Sequence, residues 1–471
     1  MATYKTPDVY IEEISVFPPS VAEVETAVPA FIGYTEKAQK NTGNDLILKP
    51  TKIHSLKEFE QYYGGPKSDD AIAITVTDTA DGGFEASSVT EPTLSYILYY
   101  SMKLFFDNGG GQCYIVSTGT YQATPVIDLA GDSSTDPATM YGLQDGLNAV
   151  KNEDEPTLIV IPEAVRLGST EYQTLVQAVL LQCNDLQDRF AIFDIYGGDS
   201  KLDTSGITTA RGYFGNNYLK YGAAYYPFIK TTLNYHVNTG ETNVDVTHNS
   251  DPAADLVTFK TGNTALYNFV KGKLKEYYIV LPPSAAVAGV YAATDRNRGV
   301  WKAPANVSLS DVIEPVVKID NSIQDGLNVD ATSGKSINAI RAFMGKGSLM
   351  WGARTLAGND NEWRYVPVRR FFNMVEESVK KSSYWAVFEP NDANTWVKVR
   401  GMIEAYLLQK WREGALAGAT PKEAFFVRCG LGTTMDSQDV LEGRMNVEIG
   451  MAAVRPAEFI ILKFTHMLQT A

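Results

Sequence analysis

Two hydrophobic periodicities alternate through the first 345 residues. Runs of consecutive apolar residues at 157–161 (TLIVI) and 189–195 (RFAIFDI) have the pattern of buried strands, and the segment between them at 171–183 has helical spacing. An earlier helical stripe ends at 108–109 and leads into a strand at 113–116. Strands that alternate with helices predict a mainly parallel sheet covered by helices, so the predicted fold class of this part is α/β.

The pattern changes after Lys346. Helical stripes occupy 366–381 and 391–414, and Asn391 or Asp392 can cap the second of them. The segment RMNVEIGM at 444–451 then alternates apolar and polar residues, which predicts a half-buried strand. We therefore expect a mixed α+β C-terminal domain, which makes the whole chain α+β in character.

Both ends of the chain have the composition of extended strands that stand apart from the rest. YKTPDVYIEEIS precedes Pro18-Pro19, and AEFIILKFTH follows Pro456. An unpaired strand edge invites another chain as its partner. The residues alone leave two alternatives equally open: ordinary edge strands within the subunit, or arms that pair with neighbouring subunits.

These patterns divide the chain into four predicted regions. They are an N-terminal extended arm (1–28), an acidic region (29–345) with surface insertions near 40–90 and 198–263, a C-terminal domain (346–455) and a C-terminal strand arm (456–471). Within the insertions, 75–90 predicts a loop or a short hairpin, and 237–263 predicts a surface excursion.

Charge is distributed unevenly between these regions. The chain has 41 Lys and Arg against 55 Asp and Glu, a net charge of −14, which argues against nucleic-acid binding. From Lys346 to the end the count is 16 against 14, so nearly all of the negative charge lies in the first 345 residues. Two interpretations stay open: the two parts face different surroundings, or the first part has a solvated acidic surface kept soluble by charge repulsion, which the charges alone favour.

Composition predicts a globular protein that is synthesised in the cytoplasm. No apolar run approaches the roughly 18 residues of a membrane span, and Glu12 and Glu13 interrupt the only apolar part of the N-terminus, which is unlike a signal peptide. The three cysteines are far apart in sequence, which predicts neither a disulfide framework nor a zinc site.

No segment carries a recognisable catalytic constellation. NGGGQ at 108–112 follows a helix and precedes a strand, whereas a phosphate-binding turn requires the opposite order, so it predicts a helix end. GKS at 334–336 lacks the first glycine of a Walker A loop, and the four histidines have no metal-ligand spacing. The charged cluster of Asp295, Arg296 and Arg298 predicts salt bridges within or between subunits. We expect no enzyme activity, no cofactor and no metal.

Five stretches in order resemble the contractile tail sheath proteins of myophage tails, R-type pyocins and extracellular contractile injection systems. They are the opening YKTPDVYIEEIS through FIGYTE, FFDNGGGQCYIV, PPSAAVAGVYAATDRNRGVWKAPAN, the pair GKGSLMWGARTL and WRYVPVRRFF, and NVEIGMAAVRPAEFIILKF. The likeness spans both termini and most of the C-terminal half, and it is most similar to the extracellular injection systems.

The resemblance implies a structural subunit that stacks as six-fold rings around an inner tube. The extended sheath is metastable, and its contraction drives the tube through a target envelope without consuming nucleotide. Implied partners are further copies of the chain, the inner tube protein, baseplate and terminal cap proteins, and paralogous sheath proteins, with no nucleic acid and no membrane insertion. The implied location is a phage tail or tail-like particle, assembled in the bacterial cytoplasm and released in some systems. A non-contractile tube or capsid-like subunit is the alternative.

The resemblance also implies roles for the two ends of the chain, which would add strands to the C-terminal domain of neighbouring subunits. The predicted inter-subunit strand residues are Val9, Tyr10, Ile11, Glu12, Ile14, Phe459, Ile460, Ile461, Leu462 and Phe464. Two helices compete for contact with the tube, 392–413 and 437–442, and we favour the shorter, more polar one. Its candidate tube-facing residues, with one just beyond it, are Ser437, Asp439, Val440, Glu442 and Arg444.

Overall fold

The computed structural model describes residues 20–68, 71–124, 126–131, 136 and 140–461. In these residues the strands are β1 (Pro29–Thr35), β2 (Thr51–Ile53), β3 (Ile72–Asp78), β4 (Phe84–Thr90), β5 (Cys113–Thr120), β6 (Leu158–Val160), β7 (Phe190–Asp194), β8 (Gly222–Tyr226), β9 (Ile229–Asn234), β10 (Val244–His248), β11 (Ala254–Asp255), β12 (Tyr278–Leu281), β13 (Val307–Ser308), β14 (Val312–Pro315), β15 (Asn338–Phe343), β16 (Gly347–Trp351), β17 (Phe425–Arg428) and β18 (Glu448–Met451).

The helices of the described residues are α1 (Leu56–Tyr63), α2 (Leu98–Asp107), α3 (Leu143–Val150), α4 (Ser169–Leu186), α5 (Thr204–Tyr213), α6 (Leu256–Gly262), α7 (Thr264–Leu274), α8 (Ser284–Arg298), α9 (Asn321–Asn328), α10 (Val366–Ser382), α11 (Ala393–Arg412), α12 (Pro421–Ala424) and α13 (Ser437–Leu441). Short 3-10 turns lie at Pro162–Arg166, Leu219–Tyr221 and Tyr384–Ala386. None of the helices in these residues is long and apolar enough to cross a bilayer.

The chain divides into two compact units. Of the described residues, the first unit contains 25–374 and 455–461, and the second contains 20–24 and 375–454. Helix α10 begins in the first unit and continues into the second.

A nine-stranded sheet is the centre of the first unit, in the order β13-β16-β15-β8-β7-β6-β1-β5-β2. Its inner strands, from β15 to β5, pair in parallel, and antiparallel strands complete both edges. The predicted α/β class and the mainly parallel sheet are confirmed. Strand β8 ends at Tyr226, because Pro227 has no N–H to continue the ladder, and the next strand, β9, belongs to another sheet.

Both faces of this sheet are covered by apolar side chains. Along β1, Phe31 joins the core formed with α2 and α8, while its neighbours Ala30 and Ile32 join the core formed with α3, α4 and α5. Successive residues of a strand point to opposite faces, so a strand buried on both faces reads as a continuous apolar run. The predicted end of α2 is also confirmed, since the helix stops at Asp107 and Gly109 adopts φ 91°, a value that favours glycine.

The two predicted insertions meet in one small sheet with the order β11-β10-β3-β4. Strand β10 pairs in parallel with β3, and helices α6 and α7 contribute to the same apolar core. Of the two alternatives for 75–90, a hairpin is present, formed by β3 and β4. The prediction that 237–263 is only a surface excursion is wrong, because Val244 and Val246 are fully buried against residues distant in sequence.

The second unit is built from α11, α12, α13, the C-terminal half of α10 and a two-stranded antiparallel sheet of β17 and β18. Helix α11 confirms the predicted stripe: it is capped by Asp392, whose side chain accepts a hydrogen bond from the N–H of Thr395, and it buries Val399, Ile403 and Leu407. Partly buried and exposed residues alternate from Met445 to Ile449, as the sequence pattern predicts.

Candidate assembly surfaces

The predicted strand arms fall largely outside the described residues. Seven of the ten predicted residues lie outside the described ranges: Val9, Tyr10, Ile11, Glu12, Ile14, Leu462 and Phe464. Phe459, Ile460 and Ile461 are described, with 69%, 80% and 79% of their surface exposed. The predicted strand over 457–466 is absent from 457–461, since these residues have no sheet partner among the described ones and a strand requires one.

The root of the C-terminal segment is held by a carboxylate. Glu458 accepts hydrogen bonds from Arg354 at 2.9 Å (Nε) and 2.5 Å (Nη2), from Asn328 at 2.9 Å and from Tyr365 at 3.2 Å. Partial burial raises the pKa of Glu458, but the bonds from Arg354 and Asn328 outweigh it and hold the pKa below its ordinary value. This carboxylate is therefore ionised at neutral pH and paired with a buried guanidinium.

The root of the N-terminal segment is held in a similar way within the second unit. Glu23 forms an ion pair with Lys410, whose side chain is 4% exposed. On either side of Glu23, the N–H groups of Ala22 and Val24 each donate to a serine hydroxyl of α10, Ser382 and Ser378, at 3.1 Å.

The three residues of the predicted charged cluster make separate contacts. Asp295 pairs with Arg370 at 2.5 Å, and both side chains are almost completely buried. Asp295 also accepts from the Thr26 hydroxyl at 2.6 Å, so the pair fixes the chain where it enters β1. Arg296 instead donates to the carbonyl of Gly109, and Arg298 is exposed at the end of α8.

The sheet of β17 and β18 offers edges that other strands can use. Its four residue pairs run from Phe425 opposite Met451 to Arg428 opposite Glu448, and it has no third strand among the described residues. A two-stranded sheet is marginal by itself, and an open strand edge invites a further strand as its partner.

Helix α13 presents charged residues to solvent. Asp436 caps it, and Asp439 completes a capping box by accepting from the Asp436 N–H at 3.1 Å. That backbone hydrogen bond and the neighbouring Arg444, at 3.1 Å, lower the pKa of Asp439. Glu442 and Arg444 also pair, and both are exposed. Of the predicted tube-facing residues, Ser437 is exposed and Val440 is partly exposed.

The strongly perturbed carboxyl groups serve the fold. Burial raises the pKa of Glu163 to about 7, against the lowering effect of the backbone N–H groups of Tyr34, Ile97 and Leu98 that donate to it. Burial likewise raises the pKa of Asp194 to about 7, and its Oδ1 accepts from the Ser284 N–H at 2.7 Å. Glu163 thus accepts from the start of α2 and from β1, and Asp194 accepts from the start of α8. Among the described residues no three His, Cys, Asp or Glu side chains form a metal-binding group.

Comparison with known proteins decides what these surfaces belong to. The profile of the phage tail sheath C-terminal domain matches residues 358–466. Over 98% of its length the chain is similar to 99% of a chain in the structure of the anti-feeding prophage helical sheath in the contracted state, with 32% identity and a TM-score of 0.64. The chain belongs to the contractile tail sheath family.

Two further sheath proteins define the extent of this likeness. A chain of the contracted PVC sheath complex of an extracellular contractile injection system is 29% identical, with a TM-score of 0.63, and the match covers 99% of this chain and 98% of that one. The tail sheath protein of Enterobacteria phage T4 is 28% identical over 130 residues, which are 27% of this chain and 19% of the phage protein. The likeness to injection-system sheaths therefore spans the whole chain, whereas the chain matches only about a fifth of the length of the phage sheath protein.

The sequence pattern did not reveal three buried cations that hold the chain near both ends of the described residues. Arg354, Arg370 and Lys410 are nearly fully buried cations, and each pairs with a carboxylate distant in sequence. A charged residue inside an apolar stripe was the available signal, as with Arg369 and Arg370 in VPVRRFF, because such residues are rarely buried without a partner.

Proposed function

We propose that the chain is the repeating subunit of a contractile sheath, a helical polymer of hexameric rings around an inner tube. The observation that carries the proposal is the full-length likeness to a helical sheath in its contracted state. In the extended state the sheath surrounds the tube, and its shortening drives the tube through a target envelope.

Strand exchange supplies the connections between subunits in this proposal. The two arms add strands to the β17–β18 sheet of neighbouring subunits, which is β-augmentation repeated through a lattice. The sheet has unpaired edges, and Phe459, Ile460 and Ile461 are three consecutive apolar residues exposed to solvent in the isolated chain. Pairing would satisfy the backbone of both partners and cover these side chains, while the segments between arm and body allow the bodies to rotate.

Energy for contraction is stored during assembly rather than taken from a nucleotide. We take the two packings of each subunit to differ by roughly a few kcal/mol, as in other two-state elements. The total free energy released is then large, because many subunits change together. Stacked bistable interfaces pass the change from ring to ring. The subunit then has no catalytic role and no cofactor, in keeping with relatives that are structural sheath proteins.

The charge asymmetry orients the subunit in the proposed particle. We place the acidic region 29–345 outside and the nearly neutral domain 346–455 inside, where α13 contacts the tube, with 1–28 and 456–471 as the exchanged arms. Solvent exposure supports α13 over the competing helix α11. Most of α13 is exposed, whereas α11 buries its apolar stripe.

The tube contact has a specific test. Glu442→Lys reverses an exposed charge at the C-terminal cap of α13 without touching the capping box, whereas a change at Asp439 would also remove a cap. We expect weaker co-sedimentation with the tube protein and unchanged sheath-only polymer. Lys398→Glu, an exposed charge reversal on α11, is the control. Unaltered tube binding by the Glu442 variant would remove α13 from consideration.

The particle has further proposed partners. Besides copies of itself and the tube, the sheath meets a baseplate, a terminal cap and, in some systems, paralogous sheath proteins. It is made and assembled in the bacterial cytoplasm as part of a phage tail-like particle that is released in some systems. A rigid tube or capsid-like subunit remains the alternative, and the contracted state of two full-length relatives favours the contractile function.

Negative-stain electron microscopy of the purified chain, alone and with its tube protein, tests the proposal. Alone, we expect wide hollow tubes, because a sheath without a tube relaxes to its contracted form. With tube and baseplate, we expect a longer and narrower polymer that shortens when triggered. A single polymer length under every condition would favour the rigid alternative.

A further inference from the structure

We propose that Glu23 and Glu458 are clamps that fix the roots of the two arms to the subunit's own body, so that only residues before Ala22 and after Glu458 are exchanged. This inference rests on the proposed function and refines it. It assigns to each arm a residue at which the fixed chain ends and the exchanged chain begins.

The C-terminal clamp depends on a cation that cannot leave its position. Arg354 has a side chain that is 4% exposed, and its backbone is held on both sides by Asn338, whose Oδ1 accepts from the Arg354 N–H at 2.8 Å and whose Nδ2 donates to the Arg354 carbonyl at 2.7 Å. Its Nη1 also donates to the carbonyl of Asn328 at 3.2 Å. The guanidinium is therefore fixed with its remaining donors directed at Glu458.

Removal of Glu458 from this position would leave a buried charge without its partner. Breaking a buried ion pair by taking away one member is strongly destabilising, because the other charge is no longer compensated. Among the described residues Glu458 is the carboxylate in ion-pair contact with Arg354. Arg354 thus holds Glu458 in place in any state of the sheath, and the next residue, Phe459, is already 69% exposed.

The N-terminal clamp has the same construction on different elements. Lys410 lies between Glu23 and Glu413, the latter at 2.7 Å, and is almost fully buried. Burial lowers the pKa of Lys410, but hydrogen bonds from its ammonium group to these two carboxylates outweigh burial and raise it. The serine hydroxyls of Ser378 and Ser382 hold the flanking backbone N–H groups, so three consecutive residues of the root are fixed.

The first test compares two Glu→Gln variants of the full chain. Glu458→Gln removes the charge and keeps the shape of the side chain, and Glu276→Gln does the same in an ion pair with Lys273 whose glutamate side chain is 61% exposed. We expect the apparent melting temperature to fall by roughly 3 °C or more for Glu458→Gln and by less than about 1 °C for Glu276→Gln. Equal effects of the two variants would overturn the clamp.

The second test asks whose Arg354 holds Glu458. Arg354→Glu and Glu458→Arg are each expected to abolish polymer, and the double variant in one chain is expected to restore it. If the contact lies within one subunit, co-assembly of the two single variants fails, because each chain still carries a like-charge pair. Rescue by the mixture would show that neighbours exchange Glu458 and would overturn the inference.

The outcomes separate this inference from the proposed function. A wild-type chain that never polymerises, even with its tube protein, would count against the proposed function, while the melting comparison would still decide the clamp. If the double variant fails to fold, the Glu458→Gln comparison decides alone. A wild-type polymer with an innocuous Glu458→Gln variant would contradict only the clamp.

Discussion

The nine-stranded sheet and the two-stranded sheet of the same chain differ in how many of their strands are paired on both sides. In the first, β1, β6, β7 and β8 each have a neighbour on both sides and are buried on both faces. In the second, β17 and β18 have only each other among the described residues, and Arg428 and Glu448 at one end are exposed.

This difference indicates which part of the subunit is fixed by its own chain and which depends on assembly. The inner strands of the large sheet are paired on both sides and have no backbone groups left to offer, so they form a rigid body. An unsaturated pair of strands gains hydrogen bonds when another chain pairs with it. We therefore expect changes in the large sheet to affect folding, and changes in the small sheet or the arms to affect polymerisation.

The largest expected effect is the loss of polymer when residues 1–18 are deleted. The nine-stranded sheet begins at Pro29, so the truncated chain should fold but lack a strand to donate. Sedimentation and electron microscopy should show dispersed subunits. A chain with these residues replaced by a Gly/Ser segment of equal length is the control and should behave the same. Normal tubes from either variant would contradict strand exchange.

A pair of Phe→Ala substitutions sharpens the comparison. Phe105 is fully buried and packs edge-on against Phe31 at 5.0 Å between ring centroids, so its loss should lower the free energy of unfolding by about 3–5 kcal/mol. Phe426 in β17 is 41% exposed, and its loss should cost below about 1 kcal/mol. Denaturant unfolding measures both, and equal costs would show that the small sheet is as rigid as the large one.

The buried pair of Asp295 and Arg370 gives a comparable effect by electrostatics. Asp295→Asn leaves the Arg370 guanidinium, 3% exposed, without its counter-charge, which should cost about 3 kcal/mol. Arg298→Ala changes an exposed residue of the same sequence cluster and should stay within about 0.5 kcal/mol. Similar losses of stability in both variants would show that the whole sequence cluster, and not the buried ion pair in particular, stabilises the fold.

The last comparison concerns pH. The pKa of Asp194 rises from its ordinary 3.8 to about 7 in the folded chain. Between these two pH values the folded state therefore holds a proton that the unfolded state has released. Its stabilisation is complete below pH 4, decreases as the pH rises to about 7 and is constant above that. Glu163 acts in the same direction.

Asp194→Asn tests this linkage, because asparagine keeps an acceptor for the Ser284 N–H and cannot titrate. Between pH 4 and 7 we expect the loss of stability to fall to about half that of the wild type, with the remainder due to Glu163. Denaturant midpoints measured at several pH values give the slope. An unchanged slope would show that Asp194 does not titrate in this range.

Periodicity predicted most elements of the large sheet because local pattern and final environment agree there. TLIVI and RFAIFDI are buried on both faces, so every residue reports the same surroundings, and β6 and β7 appear where expected. The prediction for 237–263 was wrong because the apolar positions of this segment are few and polar residues separate them. Val244 and Val246 become core only by pairing with β3, about 170 residues earlier.

The candidate sites divide in the same way. The exposed charged helix α13 and the separate terminal segments could be found from local composition, since caps and prolines mark them. The partners of Glu23, Asp295 and Glu458 could not, because each cation is distant in sequence and its burial is invisible locally.

The sequence by itself determined the alternation of strands and helices, the acidic first part and the family, because these depend on local period, composition and motif order. Only the tertiary structure decided which cations are buried and which carboxylates reach them, that the two insertions form one sheet, and that residues 455–461 return to the first unit. The physical reason is that pairing between distant segments depends on the closure of the chain in space, which no local window records.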